Sequence, residues 1–290
     1  MAVAAPEAPA VQVVDGLNIQ PKATAHRNTV LRTVEFEDPR DGRRFRLGFS
    51  TNMRTNHYSP RHRHTFDQIR FLVAGRAKYG ALRLEPGDCV YFPEGVFYGP
   101  YELLSDEVTN CTIQTQGPTW NRFLSDDDLG AAAELLAGKG EIERETGQFR
   151  WPDGTKQDSF EAMLEAIEGH PVEYPGARYH YPVLLRSTNF DWLPAADSGV
   201  SVKPLATFNA TGPSLRLVKL APGATLSGGT GEHHQMSIVT NGLARYEDRP
   251  VAAGTFIYRP PLAVSGPLTA DTQTVLLVGE FQARGKPLFV

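Results

Sequence analysis

His62-Arg-His64-Thr-Phe-Asp-Gln68-Ile-Arg70-Phe-Leu-Val-Ala-Gly75, followed by Gly87-Asp-Cys-Val-Tyr91-Phe-Pro93-Glu-Gly95-Val-Phe-Tyr98, decides how this chain is read. A step of 167 residues carries Gln68, Gly75, Tyr79, Gly87, Tyr91 and Pro93 onto Gln235, Gly242, Tyr246, Gly254, Tyr258 and Pro260 without a gap. A fixed period implies one structural unit used twice. The copies differ where chemistry would reside. His62 and His64 become Gly229 and Gly231, and Tyr98 becomes Ser265. Only the first copy offers two histidines two residues apart.

Around these stretches the pattern is that of short strands. Thr29–Phe36, Phe45–Ser50, Gln68–Ala74, Ala77–Leu82, Cys89–Phe92 and Val108–Gln114 are rich in β-branched and aromatic residues, with Gly and Pro between them. Between the copies the pattern changes. Ser125-Asp-Asp-Asp128 can open a helix carrying Leu129, Ala132, Leu135 and Leu136. Asp158 or Ser159 can cap a second, with Phe160, Met163, Leu164 and Ile167 at helical spacing and Gly169 at its end. The expected organisation is an arm over 1–28, a β unit over 29–118 with the functional site, a helical and irregular connector over 119–197, and a second β unit over 198–290. The arm can be loose or an extended strand laid on a neighbouring unit.

The motif layout resembles the cupin superfamily, in which Glu stands where Gln68 does and His where Tyr98 does. The resemblance covers residues 45–115 and, less closely, 215–282. It implies an all-β chain of two cupin barrels of the jelly-roll (double-stranded β-helix) type. The chain is thus a bicupin with a degenerate second copy and a partly helical connector. It also implies that the positions of His62, His64, Gln68 and Tyr98 ring one divalent transition metal. Two imidazoles suit Fe, Mn, Ni, Cu or Zn; a carboxamide oxygen is a weaker, neutral donor; a phenol completes the shell or moves a proton.

Strand alternation adds Arg70 to the cavity face that Gln68 shares. A buried guanidinium is costly without an anion, so Arg70 either grips a substrate carboxylate or enolate or pairs with an acid such as Glu102 or Asp67. Tyr98 and Arg70 are the catalytic candidates. Arg70, Tyr91 and His57 are the candidate substrate contacts. His26 and His170 fall in linkers, and His233 and His234, off register with the motif, read as exposed loop residues, with a shifted metal site as the alternative. By resemblance the function is a metal-dependent oxidoreductase of the dioxygenase type, or an isomerase or lyase, acting on a small acidic or aromatic molecule. The alternative is a metal-free binding or sensor bicupin without catalysis.

Composition removes other classes. With 29 basic and 33 acidic side chains and a net charge of −4, nothing calls for nucleic acid or an anionic membrane. Two cysteines, Cys89 and Cys111, are too few for a disulfide framework, and the start of the chain makes a poor signal peptide. A soluble cytoplasmic protein with a small-molecule substrate is expected, and open sheet edges allow a homodimer.

Overall fold

Strands form where apolar and polar residues alternate, and glycine ends them. The structure, a computed structural model, describes residues 9–288 except 28, 29, 55–57, 122, 209, 210 and 287. His57, a sequence-stretch candidate, therefore lies outside the described residues. Two compact units emerge: one of residues 19–37 and 44–188, the other of 38–43, 189 onward and the described residues up to Asn18.

The N-terminal unit has a six-stranded antiparallel sheet in the order Val183–Leu185, Cys89–Phe92, Phe66–Ala74, Glu107–Gln116, Arg43–Met53 and Thr33–Asp38. Tyr101–Leu103, Ala77–Tyr79 and Leu82–Leu84 form a smaller sheet. A large and a small sheet together make a jelly roll rather than one closed barrel. The C-terminal unit repeats the plan with seven strands, from Gln12–Asp15 at one edge to Leu193–Pro194 at the other, and a four-stranded partner sheet. The arm thus includes an edge strand, with Gln12 opposite Tyr258 and Asp15 opposite Thr255.

The repeat is visible in backbone pairing. Tyr101–Leu103 and Leu268–Ala270 stand 167 residues apart, and so do the isolated bridges His62–Tyr98 and Gly229–Ser265. Gly75 and Gly242 end corresponding strands with φ of 79° and 95°. A Cβ on either would meet a backbone carbonyl, Glu107 O or Gln273 O, at 2.3 Å. Only glycine satisfies both limits.

Both expected helices form, but in the N-terminal unit rather than as a separate connector. In α1 (Asp126–Leu136) Ser125 is the N-cap of a capping box with Asp128. In α2 (Ser159–Glu168) Asp158 is the cap, accepting from the backbone N–H of Phe160 and Glu161, and Gly169 closes the helix in the left-handed conformation. Their apolar faces join Phe66 of the large sheet in one cluster with Phe123, Phe149 and Phe160. Leu135, placed on the apolar face by spacing, is exposed instead. No helix among the described residues is long and apolar enough to cross a membrane.

Glu94, in the second motif, is buried and accepts hydrogen bonds from the N–H and hydroxyl of Thr119. Burial pushes its carboxyl from 4.5 up to about 7. A raised folded-state pKa gives stability that is full below the unfolded value and is lost as pH rises through the folded one. Glu94→Gln should therefore gain on the parent by about 1–3 kcal/mol between about pH 5 and about pH 8, read by urea denaturation; a pH-independent difference would refute the assignment. Gly75→Ala should cost about 1–3 kcal/mol or more in the same assay, because strain and clash act together.

Candidate functional site

Three neighbouring strands build the site. Arg46, Gln114 and Gln68 are directly opposite one another across the sheet; Gly48, Thr112 and Arg70 form the next rung; Ser50, Asn110 and Leu72 form the third. Residues two apart share a face, and every one of these except Leu72 lines a single cavity of about 440 Å³. The opposite face, with Leu47, Ile69, Phe71, Cys111 and Ile113, is buried and mostly apolar.

The four motif residues converge. The His62 and His64 ring centroids are 4.9 Å apart, and those of His62 and Tyr98 are 4.4 Å apart. The backbones of His62 and Tyr98 exchange two hydrogen bonds, of 3.0 and 2.9 Å. Side-chain bonds then link them in a row. Gln114 Nε2 donates to Gln68 Oε1 at 2.7 Å, Gln68 Nε2 donates to the Tyr98 hydroxyl at 3.2 Å, and that hydroxyl lies 3.2 Å from His64 Nδ1. Burial pushes the Tyr98 hydroxyl up to about 12. Burial and the Arg27 charge hold His62 and His64 well below the ordinary imidazole range, so both are neutral at neutral pH.

Arg70 lies against the small sheet. Its Nη1 donates to the Tyr79 hydroxyl at 2.6 Å, and its guanidinium is 5.1 Å from the Tyr101 ring centroid. Neither acid named as a structural partner is available: Glu102 pairs with Lys78 at 3.0 Å, and Asp67 accepts from Tyr91. Arg70 has no carboxylate partner among the described residues. The expectation for Tyr91 needs correction. Its register partner is Ile69, so it points to the face opposite Gln68 and Arg70, where its hydroxyl donates to Asp67 at 2.9 Å.

Sequence reading missed His26 and Arg27. Both line the cavity. Arg27 Nη1 lies 3.4 Å from His62 Nε2, and Nη2 donates to Asp158 at 3.1 Å. Asp158 is therefore both the cap of α2 and the counter-ion of Arg27. Ser159 adds a second tie, its hydroxyl donating to the His26 carbonyl at 2.9 Å. Nothing in local spacing announces these contacts, since 35 residues separate Arg27 from His62 and 131 separate it from Asp158.

The donor set does not fit a tightly held divalent ion as arranged. His62 Nδ1 donates to the Pro60 carbonyl at 2.7 Å, leaving Nε2 as its bare nitrogen, and Nε2 faces the Arg27 guanidinium. The Gln68 carbonyl oxygen is engaged by Gln114. All four groups are neutral, and the nearby charges on Arg27 and Arg70 repel a cation. Three acid or histidine ligand atoms do come together within the C-terminal unit, at Asp38, Asp41 and His234. There His234 is fully buried rather than an exposed loop residue. It bonds Asp41 and the Tyr258 hydroxyl, both at 2.9 Å, while Asp38 is held by Arg40. The glycine at 231, counterpart of His64, is packed against Arg259, whose Nη2 a Cβ would approach to 2.7 Å.

Tyr98→Phe should leave a buried amide and a buried imidazole nitrogen without their common partner, at a cost of about 1–3 kcal/mol in urea denaturation. No loss would mean that the hydroxyl does not knit the cluster.

The ChrR Cupin-like domain family matches residues 180–283. No curated protein matches the chain. Among solved structures, a Nostoc punctiforme protein provisionally called a dioxygenase aligns over 96% of this chain and 85% of its own, with TM-score 0.60 and 13% identity. Escherichia coli Ylba aligns over 96% and 93%, with TM-score 0.54 and 9% identity. Bacillus subtilis oxalate decarboxylase aligns over 93% and 76%, with TM-score 0.54 and 15% identity. At such identities the likeness is one of fold. With the internal repeat, it gives this chain a cupin-like fold of two units, the second without the two histidines of the first.

Proposed function

We propose that the N-terminal unit acts on a small acidic molecule in this cavity, Arg70 holding an acidic oxygen and the Tyr98–His64 pair handling a proton. One observation carries the reading: a guanidinium lines the cavity with no carboxylate partner among the described residues. A buried arginine is stable only when an anion or several acceptors face it.

The proton chemistry follows from the neighbours. A neutral imidazole at His64 can accept a proton, and a phenol that stays protonated can stabilise an oxyanion by hydrogen bonding. If His64 takes a proton from carbon beside a carbonyl, the C–H electron pair moves onto the carbonyl oxygen. Tyr98 and Arg70 are the donors available to that oxygen. This suits an isomerase- or lyase-type step. A second reading rests on the convergence of His62 and His64, and on the Mn(II) centres of oxalate decarboxylase among the structural neighbours. There an anionic ligand supplies the charge the protein donors lack and brings a divalent ion to the two imidazoles, which would provide Lewis-acid or dioxygenase chemistry.

Two measurements on tag-free protein decide. Binding of small carboxylates, followed by calorimetry with chelator present, should persist in the parent and weaken at least about tenfold in Arg70→Met. Metal analysis should find no ion that is absent from a His62→Ala/His64→Ala variant. An ion at one equivalent, lost in that variant and needed for carboxylate binding, establishes the second reading. Carboxylate binding indifferent to Arg70 refutes the first.

A further inference from the structure

We infer that the ligand of this cavity is a dicarboxylate with an apolar spacer, not a monoacid. The inference rests on the acid reading of Arg70 and extends it to a second acidic group.

Buried nitrogens without partners carry the argument. Four side chains with such an atom line this one cavity: His26 at Nδ1, Arg27 at Nε, Arg70 at Nε and Asn110 at Nδ2. Folded proteins leave few buried polar atoms unpaired, because each forfeits the hydrogen bond it had with water. Three of the four are groups that only donate, so the cavity calls for oxygen acceptors rather than for donors. The Asn110 carbonyl is already used by the Thr112 hydroxyl, which leaves its amide as the free end.

These atoms belong to two separate walls. Arg70 and Asn110 stand on adjacent strands of the sheet, one rung apart, which is about 7 Å along the strand direction. His26 and Arg27 come from the segment before the first long strand, beside His62. Donors from a second segment call for a second acceptor group, and the lining cations Lys22 and Arg144, unpaired among the described residues, favour an acidic one. Leu31, Phe66, Leu129 and Phe160 add apolar lining, and the cavity is too large for a two-carbon diacid to fill. Charge agrees. Arg27 and Arg46 are balanced by Asp158 and by Glu35 and Asp126. Arg70, Lys22 and Arg144 also line the cavity and have no ion-pair partner among the described residues, against the one remaining lining acid, Asp127.

The test is calorimetry on the full chain with glutarate, adipate and phthalate, the matched monoacids butyrate, hexanoate and benzoate, and the neutral diamides. At least one diacid should bind about tenfold or more tightly than its matched monoacid, and the diamides should not bind. His26→Ala, on the second wall, should erase most of the diacid advantage while leaving the monoacid affinity unchanged. His26→Phe serves where His26→Ala does not fold, and Asn110→Leu, on the wall of Arg70, should weaken diacid and monoacid alike. Arg70→Met should weaken diacid and monoacid alike. Equal binding of diacid and monoacid, both dependent on Arg70, overturns this inference and leaves the acid reading standing. Diamides that bind as well as acids, or no binding by any acid, overturn both.

Discussion

A polar face inside a jelly roll has to be satisfied, and that constraint organises the N-terminal unit. Alternation puts Arg46, Ser50, Gln68, Arg70, Asn110 and Gln114 on one side of a sheet whose other side is mostly hydrocarbon. Polar groups taken out of water need partners. Gln114, Gln68, Tyr98 and His64 meet the need by a continuous chain of hydrogen bonds. Arg70 meets it in part, with the Tyr79 hydroxyl and two aromatic faces. What is left unmet lines the cavity.

Asp158 shows how distant parts of the chain are made to serve that face. One oxygen of its carboxylate caps α2, and the other holds Arg27. The helix region between the two copies is thus built into the site. Its apolar side completes a core shared with Phe66, and Phe160 packs against His64 at 5.1 Å between ring centroids. The guanidinium it positions also places a positive charge next to the bare nitrogen of His62.

The two copies diverge by the same physical logic. Backbone pairing is kept, down to the isolated bridge that joins His62 to Tyr98 in one and Gly229 to Ser265 in the other. Side chains are not kept. Where the first copy has an imidazole at 64, the second has a glycine whose missing Cβ makes room for Arg259. Its one fully buried histidine, His234, is taken up by Asp41 and Tyr258. The glycines that end corresponding strands, Gly75 and Gly242, survive because a carbonyl lies where any side chain would begin.

The meeting of His62, His64, Gln68 and Tyr98 was implied by resemblance; the sequence by itself determined the repeat, the strand and turn pattern and the Ser125 cap, and narrowed the second cap to Asp158 or Ser159. Those features follow from period and local backbone preference, which neighbouring residues already encode. It also narrowed Arg70 to two outcomes without choosing between them. The tertiary structure withdrew the two named acids, by giving Glu102 to Lys78 and Asp67 to Tyr91. It turned Tyr91 away from the cavity, buried His234 and brought His26 and Arg27 in. Each of these is a contact between residues far apart in the chain, or a choice of sheet face. Both depend on which strands lie side by side, and no local period records that.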